Sequence, residues 1–131
     1  MAKYVYPAIF TREDNGQYSV NFPDLPHCYT GGDDLADALI MANDILMMTL
    51  YELEEAGKNI PKPSETSALV LEANETAIPV ACSTEEYRRA HQSRAVKKTL
   101  SIPAWLNTAA EKQNINFSQV LQEALVQRLG M

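Results

Sequence analysis

The stretch AVKKTLSIPAWLNTAAEKQNINFSQVLQEALVQRLG, residues 95–130, decides how this chain folds. From Val96 to Ser101 the residues alternate. Val96, Lys98 and Leu100 fall on one face, Lys97, Thr99 and Ser101 on the other, which predicts a short β-strand. Pro103 suits the first position of a helix, where its missing N–H costs nothing. A first helix is expected from about Pro103 to Gln113, ended by Asn114 in the left-handed conformation. Asn116-Phe117-Ser118-Gln119 then offers an N-cap with a glutamine at N3, a capping-box pattern. The second helix should run to Leu129 and stop at Gly130, with Val120, Leu121, Ala124, Leu125 and Leu129 as its apolar stripe.

A single strand cannot satisfy its own backbone N–H and C=O groups. A strand and two short helices are also too few residues to enclose a core. Two arrangements repair this. In one, two copies pair their strands antiparallel about a two-fold axis, and four helices close over a shared core. In the other, Val96–Ser101 joins a sheet formed by the rest of the chain.

That rest reads as a mixed domain. KYVYPAIF (3–10) alternates and is rich in β-branched and aromatic residues, with Pro7 pointing to an edge position or a bulge. Asn15-Gly16 signals a hairpin turn into YSVNF (18–22). After the two-proline loop PDLPH, Cys28–Thr30 is a short third strand ending at Gly31-Gly32. Asp33 or Asp34 caps a long helix that runs to about Ala56, with Gly57 just beyond it. Leu35, Leu39, Ala42, Leu46, Leu50 and Leu53 form its expected buried stripe. Three of the five methionines, Met41, Met47 and Met48, lie on this helix, as core filling or as an adaptable binding face. Residues 58–67 form a polar loop. ALVLEA (68–73) and AIPVAC (77–82) follow as two strands or an interrupted hairpin. The expected architecture is α+β: a small, largely antiparallel sheet covered on one face by one long helix. Residues 83–94 read as a polar linker with a short helix around Glu85–His91. The expected boundaries are thus 1–82, a linker 83–94, and a second module 95–131.

Charge divides the chain at the same place. The net charge is −6, but residues 1–92 carry six Lys/Arg against fifteen Asp/Glu, and residues 93–131 carry five against two. The acidic part would attract a basic protein, and the basic part can approach phosphates. No apolar run is long enough for a membrane helix, and MAKYVYPAIF lacks the zones of a signal peptide. Cys28 and Cys82 show no paired spacing and are expected reduced and buried, as in a cytoplasmic protein. No cofactor or metal signature is present: His27 and His91 are isolated, without metal-ligand spacing.

The run KKTLSIPAWLN…NINFSQVLQEAL resembles the ribbon-helix-helix module at the C-terminus of HicB-type antitoxins. Upstream, YPAIF, then GQYSVNFPDLPHCYTGGDDLADAL, then the IPKPS loop are similar to the HicB N-terminal domain. The resemblance covers nearly the whole chain in order. One departure is Asn114, where many relatives carry glycine; asparagine tolerates the left-handed conformation. The resemblance implies a partial, non-catalytic ribonuclease-H-like N-terminal domain. It also implies a partner toxin of the HicA type, small, basic and mRNA-cleaving. In the resembled module the outward ribbon face reads operator DNA, which brings Lys97, Thr99 and Ser101 to base edges. Arg94 and Lys98 become backbone contacts, and the N–H groups of Phe117 and Ser118 can meet a phosphate.

Blander roles compete with each of these. Thr99 and Ser101 suit any solvated strand, and Lys98, at inward parity, can snorkel. Asp24, Asp33, Asp37 and Asp44 are candidate toxin contacts, yet helix capping and a solvated face would also explain them. A two-metal nuclease would need carboxylates converging from strands. Here the acids sit in loops and on the helix, so the chain reads as a non-enzyme. The competing function is a DNA-binding repressor whose N-terminal domain senses a small molecule.

Overall fold

A computed structural model describes residues 3–131. It divides into two compact units, the first extending to Ser93 and the second spanning Arg94–Met131.

The first unit is a four-stranded sheet with helices. Its strands are β1 (Lys3–Arg12), β2 (Tyr18–Asn21), β3 (Tyr29–Gly32) and β4 (Glu75–Ser83), and its helices are α1 (Leu35–Glu55) and α2 (Thr84–His91). The spatial order is β3-β2-β1-β4, and every neighbouring pair is antiparallel. The β1–β2 turn works as Asn15-Gly16 suggests: Gly16 sits at φ +86° and donates its N–H to the Glu13 carbonyl.

β1 lies inside the sheet, not at the edge or bulge expected from Pro7. The register explains how the proline fits. Pro7 faces Pro79 across the β1–β4 ladder, and β2 pairs only with Ile9–Arg12. Neither proline has an N–H, so they occupy a pair that exchanges no hydrogen bond and remove nothing from the ladder.

β4 also differs from expectation. It is one nine-residue strand running from Lys3↔Ser83 to Thr11↔Glu75, and residues 68–73 are not a strand. A 3₁₀ turn spans Thr66–Ala68, and Val70 is 96% exposed. The outer edge of β4 is interrupted at two positions. Pro79 offers no N–H there, and the Ala81 carbonyl accepts from Asn43 Nδ2 at 2.6 Å.

The core lies between sheet and α1. Tyr6, Ala8 and Phe10 of β1, with Val20 and Val80, alternate onto the covered face and meet Ala38, Ala42, Leu46 and Leu50. The buried helix stripe is therefore 38–42–46–50. Leu35 and Leu39, expected within it, are exposed. Backbone proximity decides this. A Cβ on Gly32 would come within 2.3 Å of Ala38 N, so the first turns of α1 press on the glycine end of β3 and admit only alanine. Larger leucines fit further along, where strands with side chains lie beneath.

The short helix expected around Glu85–His91 is present as α2, Thr84–His91, and it is packed rather than part of a free linker. The helix packs on α1 through Tyr87 against Tyr51, with ring centroids 4.8 Å apart, and through Arg88, which pairs with Glu55 at 2.8 Å and Glu54 at 3.4 Å. Cys28 is buried, Cys82 half-buried, and both are free thiols.

The second unit contains α3 (Ala104–Lys112) and α4 (Phe117–Leu129). Residues 94–103 belong to neither helix nor strand, and Val96–Ser101 does not join the N-terminal sheet. Among the described residues no helix is long and apolar enough to cross a membrane.

Candidate functional site

In the second unit, local sequence rules place every turn. Pro103 is the N-cap of α3, one position earlier than its expected place inside the helix. Asn114 takes φ +55°, while Ile115 N donates to Ala110 O and Asn114 N to Glu111 O, which closes α3 in a left-handed cap. Asn116 Oδ1 accepts from Gln119 N at 3.1 Å and starts α4. The reciprocal half of the capping box is absent, because Gln119 Nε2 turns to Glu123 Oε1 at 3.2 Å. Gly130, at φ +75°, ends α4.

The unit has no interior. None of residues 94–131 is buried, and Val96, Leu100, Trp105, Val120, Leu125 and Leu129 are at least half exposed. Lys98, Leu100 and Ile102 line an open apolar groove of about 500 Å³ against Phe117, Val120 and Leu121 of α4. Lys97, Thr99 and Ser101 lie outside that groove and are exposed. Lys98 thus shares the side of Leu100 and Ile102, the position its parity assigns. Arg94 is exposed. Phe117 and Ser118 occupy the first turn of α4, where helix geometry leaves their N–H groups without intrahelical acceptors.

In the first unit, the four candidate aspartates are scattered in role. Asp24 is half-buried and clamps the 58–67 loop, accepting from Ser64 N at 2.9 Å and Ser64 Oγ at 2.6 Å. Asp37 caps the helix start, accepting from Asp33 N at 2.9 Å while its own N–H reaches Asp34 Oδ1 at 2.8 Å. Asp33 accepts a long 3.4 Å bond from Gln17 Nε2. Asp44 alone of the four is exposed without a hydrogen bond or ion pair among the described residues. His27 is an exposed loop residue at φ +59°. His91 stacks on Tyr87 at 3.8 Å, with Nδ1 2.9 Å from the Tyr87 carbonyl. Among the described residues no group of three or more His, Cys, Asp or Glu could hold a metal ion.

Two features escape a reading of the sequence. The first is a polar knot. Glu54 Oε2 accepts from Tyr4 Oη at 2.6 Å and Thr84 Oγ1 at 3.1 Å, tying β1 and α2 to the end of α1. Burial, with the Glu54 hydrogen bond and charge beside it, pushes the Tyr4 hydroxyl pKa up. The second is an apolar groove of about 490 Å³ between α1 and α2. Met41, Ile45 and Met48 form one wall, Tyr87, Ala90 and His91 the other, and Asp44 and Glu86 stand at its margin. The methionine cluster was the only sequence signal for it.

Comparison with known proteins agrees with this architecture. Residues 5–85 match the model of a family described as HicB-like antitoxin of bacterial toxin-antitoxin system. Antitoxin HicB 2 of Photorhabdus laumondii is 41% identical over 59 residues, covering 45% of this chain and 42% of that protein. Antitoxin HicB of Escherichia coli K12 is 36% identical over 59 residues, 45% of this chain and 43% of that one. The match therefore spans less than half the length of either relative. Among solved structures, a chain of a toxin–antitoxin complex from Streptococcus pneumoniae superposes with a TM-score of 0.63 at 28% identity, over 97% of this chain and 99% of that one. The Burkholderia pseudomallei antitoxin HicB shares the fold, with a TM-score of 0.55 at 19% identity, over 96% and 98%.

Proposed function

The chain belongs to the family of HicB-like antitoxins of bacterial toxin–antitoxin systems, and from that membership we propose that it neutralises a small basic HicA-type toxin and represses its own operon. The division of labour follows the units. Residues 1–82, with α2, form the toxin-binding part on a partial, non-catalytic ribonuclease-H-like frame. Residues 95–131 form a ribbon-helix-helix module that dimerises and binds operator double-stranded DNA. With toxin bound, the assembly is a heterotetramer or larger.

One observation carries the DNA-binding half: the second unit has no buried residue and a strand-patterned segment with no partner. A second copy supplies both deficits. Antiparallel pairing of Val96–Ser101 satisfies the backbone, and Leu100 and Ile102 of each strand cover the helices of both copies. The outer ribbon face then carries Lys97, Thr99 and Ser101, from both copies, at the width of a major groove. Lysine suits guanine acceptors, and threonine can donate, accept or touch a thymine methyl. Arg94 and Lys98 reach phosphates, as do the free N–H groups of Phe117 and Ser118, and these contacts position the ribbon without specifying sequence.

The toxin-binding half rests on family membership and on charge. Fifteen carboxylates in residues 1–92 complement a positive RNA-binding surface, and covering that surface would inhibit it. The rival reading, a repressor with a small-molecule sensor, draws support from the α1–α2 groove, whose volume suits a ligand.

Co-expression with the protein of the adjacent reading frame separates the two. Rescue of growth is the expected result; toxicity that persists despite expression of the folded chain would sink the antitoxin reading. Lys97→Ala and Thr99→Ala should each weaken operator binding by about 1–2 kcal/mol and leave neutralisation intact. Joint loss of both activities would mean that the ribbon does not act as a separate module.

A further inference from the structure

We infer that the groove between α1 and α2 seats the toxin partner, and that its occupant is an amphipathic segment presenting an apolar anchor flanked by lysine or arginine. The inference rests on the antitoxin reading and adds the place and chemistry of contact.

The lining is the first argument. Met41, Ile45 and Met48 face Tyr87 and Ala90 across an open cleft. Methionine is unbranched and polarizable, so a wall of it adapts to an incoming side chain, as surfaces built to bind helices do. Another apolar side chain is exposed on the same helix. Ile40, one turn before Asp44 on α1, is 62% exposed. An open cleft fits a peptide segment better than a small ligand, which needs most of its own surface enclosed.

Charge is the second argument. Four acids on or capping the helices are engaged within the unit, and four, Asp44, Glu52, Glu85 and Glu86, are not; only Asp44 and Glu86 of those four line the groove. Asp34 and Asp37 cap α1, Asp24 holds Ser64, and Glu54 and Glu55 hold Arg88. Asp44 and Glu86 have no hydrogen bond or ion pair among the described residues, and both stand at the groove. Covering them with an apolar or acidic surface would strip water from two unpaired carboxylates, a cost of several kcal/mol. A cation beside an apolar anchor removes that cost. The margin therefore selects a basic amphipathic partner and rejects an acidic one. The surplus of acid over the whole unit steers such a partner toward the site.

The test uses the full chain, titrated calorimetrically with the protein of the adjacent reading frame. Ala90→Arg keeps a good helix former at an exposed position and plugs the groove. Asp44→Lys reverses an exposed charge that the fold does not use. Each should weaken toxin binding about 10-fold, and the two together about 100-fold. Asp14→Lys makes the same charge change on the β1–β2 turn and should alter affinity less than about 2-fold. Thermal melting of each variant confirms that the first unit remains folded. Wild-type affinity in both groove variants overturns the groove while leaving the antitoxin reading standing. An equal loss from Asp14→Lys and Asp44→Lys also overturns it, because bulk charge would then explain the effect. If the wild-type chain does not bind that protein, both readings fall together.

Discussion

Helices α1 and α4 begin and end by the same local rules and meet opposite fates. Each starts with a carboxylate or amide that accepts from the N3 backbone, Asp34 to Asp37 and Asn116 to Gln119. Each ends on a glycine with positive φ, Gly57 and Gly130. Yet α1 buries Ala38, Ala42, Leu46 and Leu50 completely, while α4 leaves Val120, Leu125 and Leu129 at half exposure or more. The ends of a helix are settled by a few neighbouring residues. The fate of its apolar face depends on what stands opposite, and the first unit carries its own sheet whereas the second carries none.

That contrast can be broken by experiment. The largest expected effect is in the self-contained unit. Leu46→Ala should cost about 3 kcal/mol of its stability, independent of protein concentration, because the side chain is fully buried. A concentration-dependent loss would mean that this core is shared between copies. Next comes Leu100→Lys in the second unit. It should raise the dissociation constant of the proposed ribbon dimer roughly 100-fold, about 2.7 kcal/mol. Trp105, the single tryptophan, lies in this unit and reports its state by fluorescence. An unchanged dimer would place the interface elsewhere.

The two N-caps sharpen the comparison further. Asp34→Ala and Asn116→Ala should each cost about 1 kcal/mol. The first should shift melting equally at all concentrations, the second only together with dimerisation. A concentration-independent shift for Asn116→Ala would mean that α3 and α4 fold alone.

The smallest effect is a pH response confined to the first unit. Burial, reinforced by the charges of Glu54, Cys28 and Glu86, pushes the Cys82 thiol up to about 11 from an ordinary 9.0. The folded unit thus holds this proton more tightly than the unfolded chain. Its contribution is complete below about pH 9 and is lost as pH rises through about 11. Denaturant unfolding should show a wild-type loss between those values that exceeds the loss in Cys82→Ala by about a few tenths of a kcal/mol. Equal slopes would mean that water reaches the thiol freely.

Most of the local structure was legible. Gly16, Gly57, Asn114 and Gly130 all take the positive φ that their turns require. The misreadings arose where an edge or a neighbouring backbone intervened. ALVLEA has the composition of a strand but does not pair with β4, whose outer edge is interrupted by Pro79 and by Asn43. Leu35 and Leu39 have helical spacing but flank a turn pressed against Gly32. Of the four candidate aspartates, three bond within their own unit, a use that composition does not reveal. The α1–α2 groove was the least legible feature, since its two walls lie about forty residues apart in sequence.

By itself the sequence determined the helix ends, the turn glycines, the alternation of the strand-like segment and the opposed charges of the two modules. All of these depend on residues within a few positions of one another or on simple addition. Only the tertiary structure decided which helix face is buried, how two prolines share a ladder, which carboxylates the fold consumes, and that the C-terminal unit stands without an interior. Those outcomes depend on distances between segments far apart in the chain, which close packing sets and no local pattern encodes.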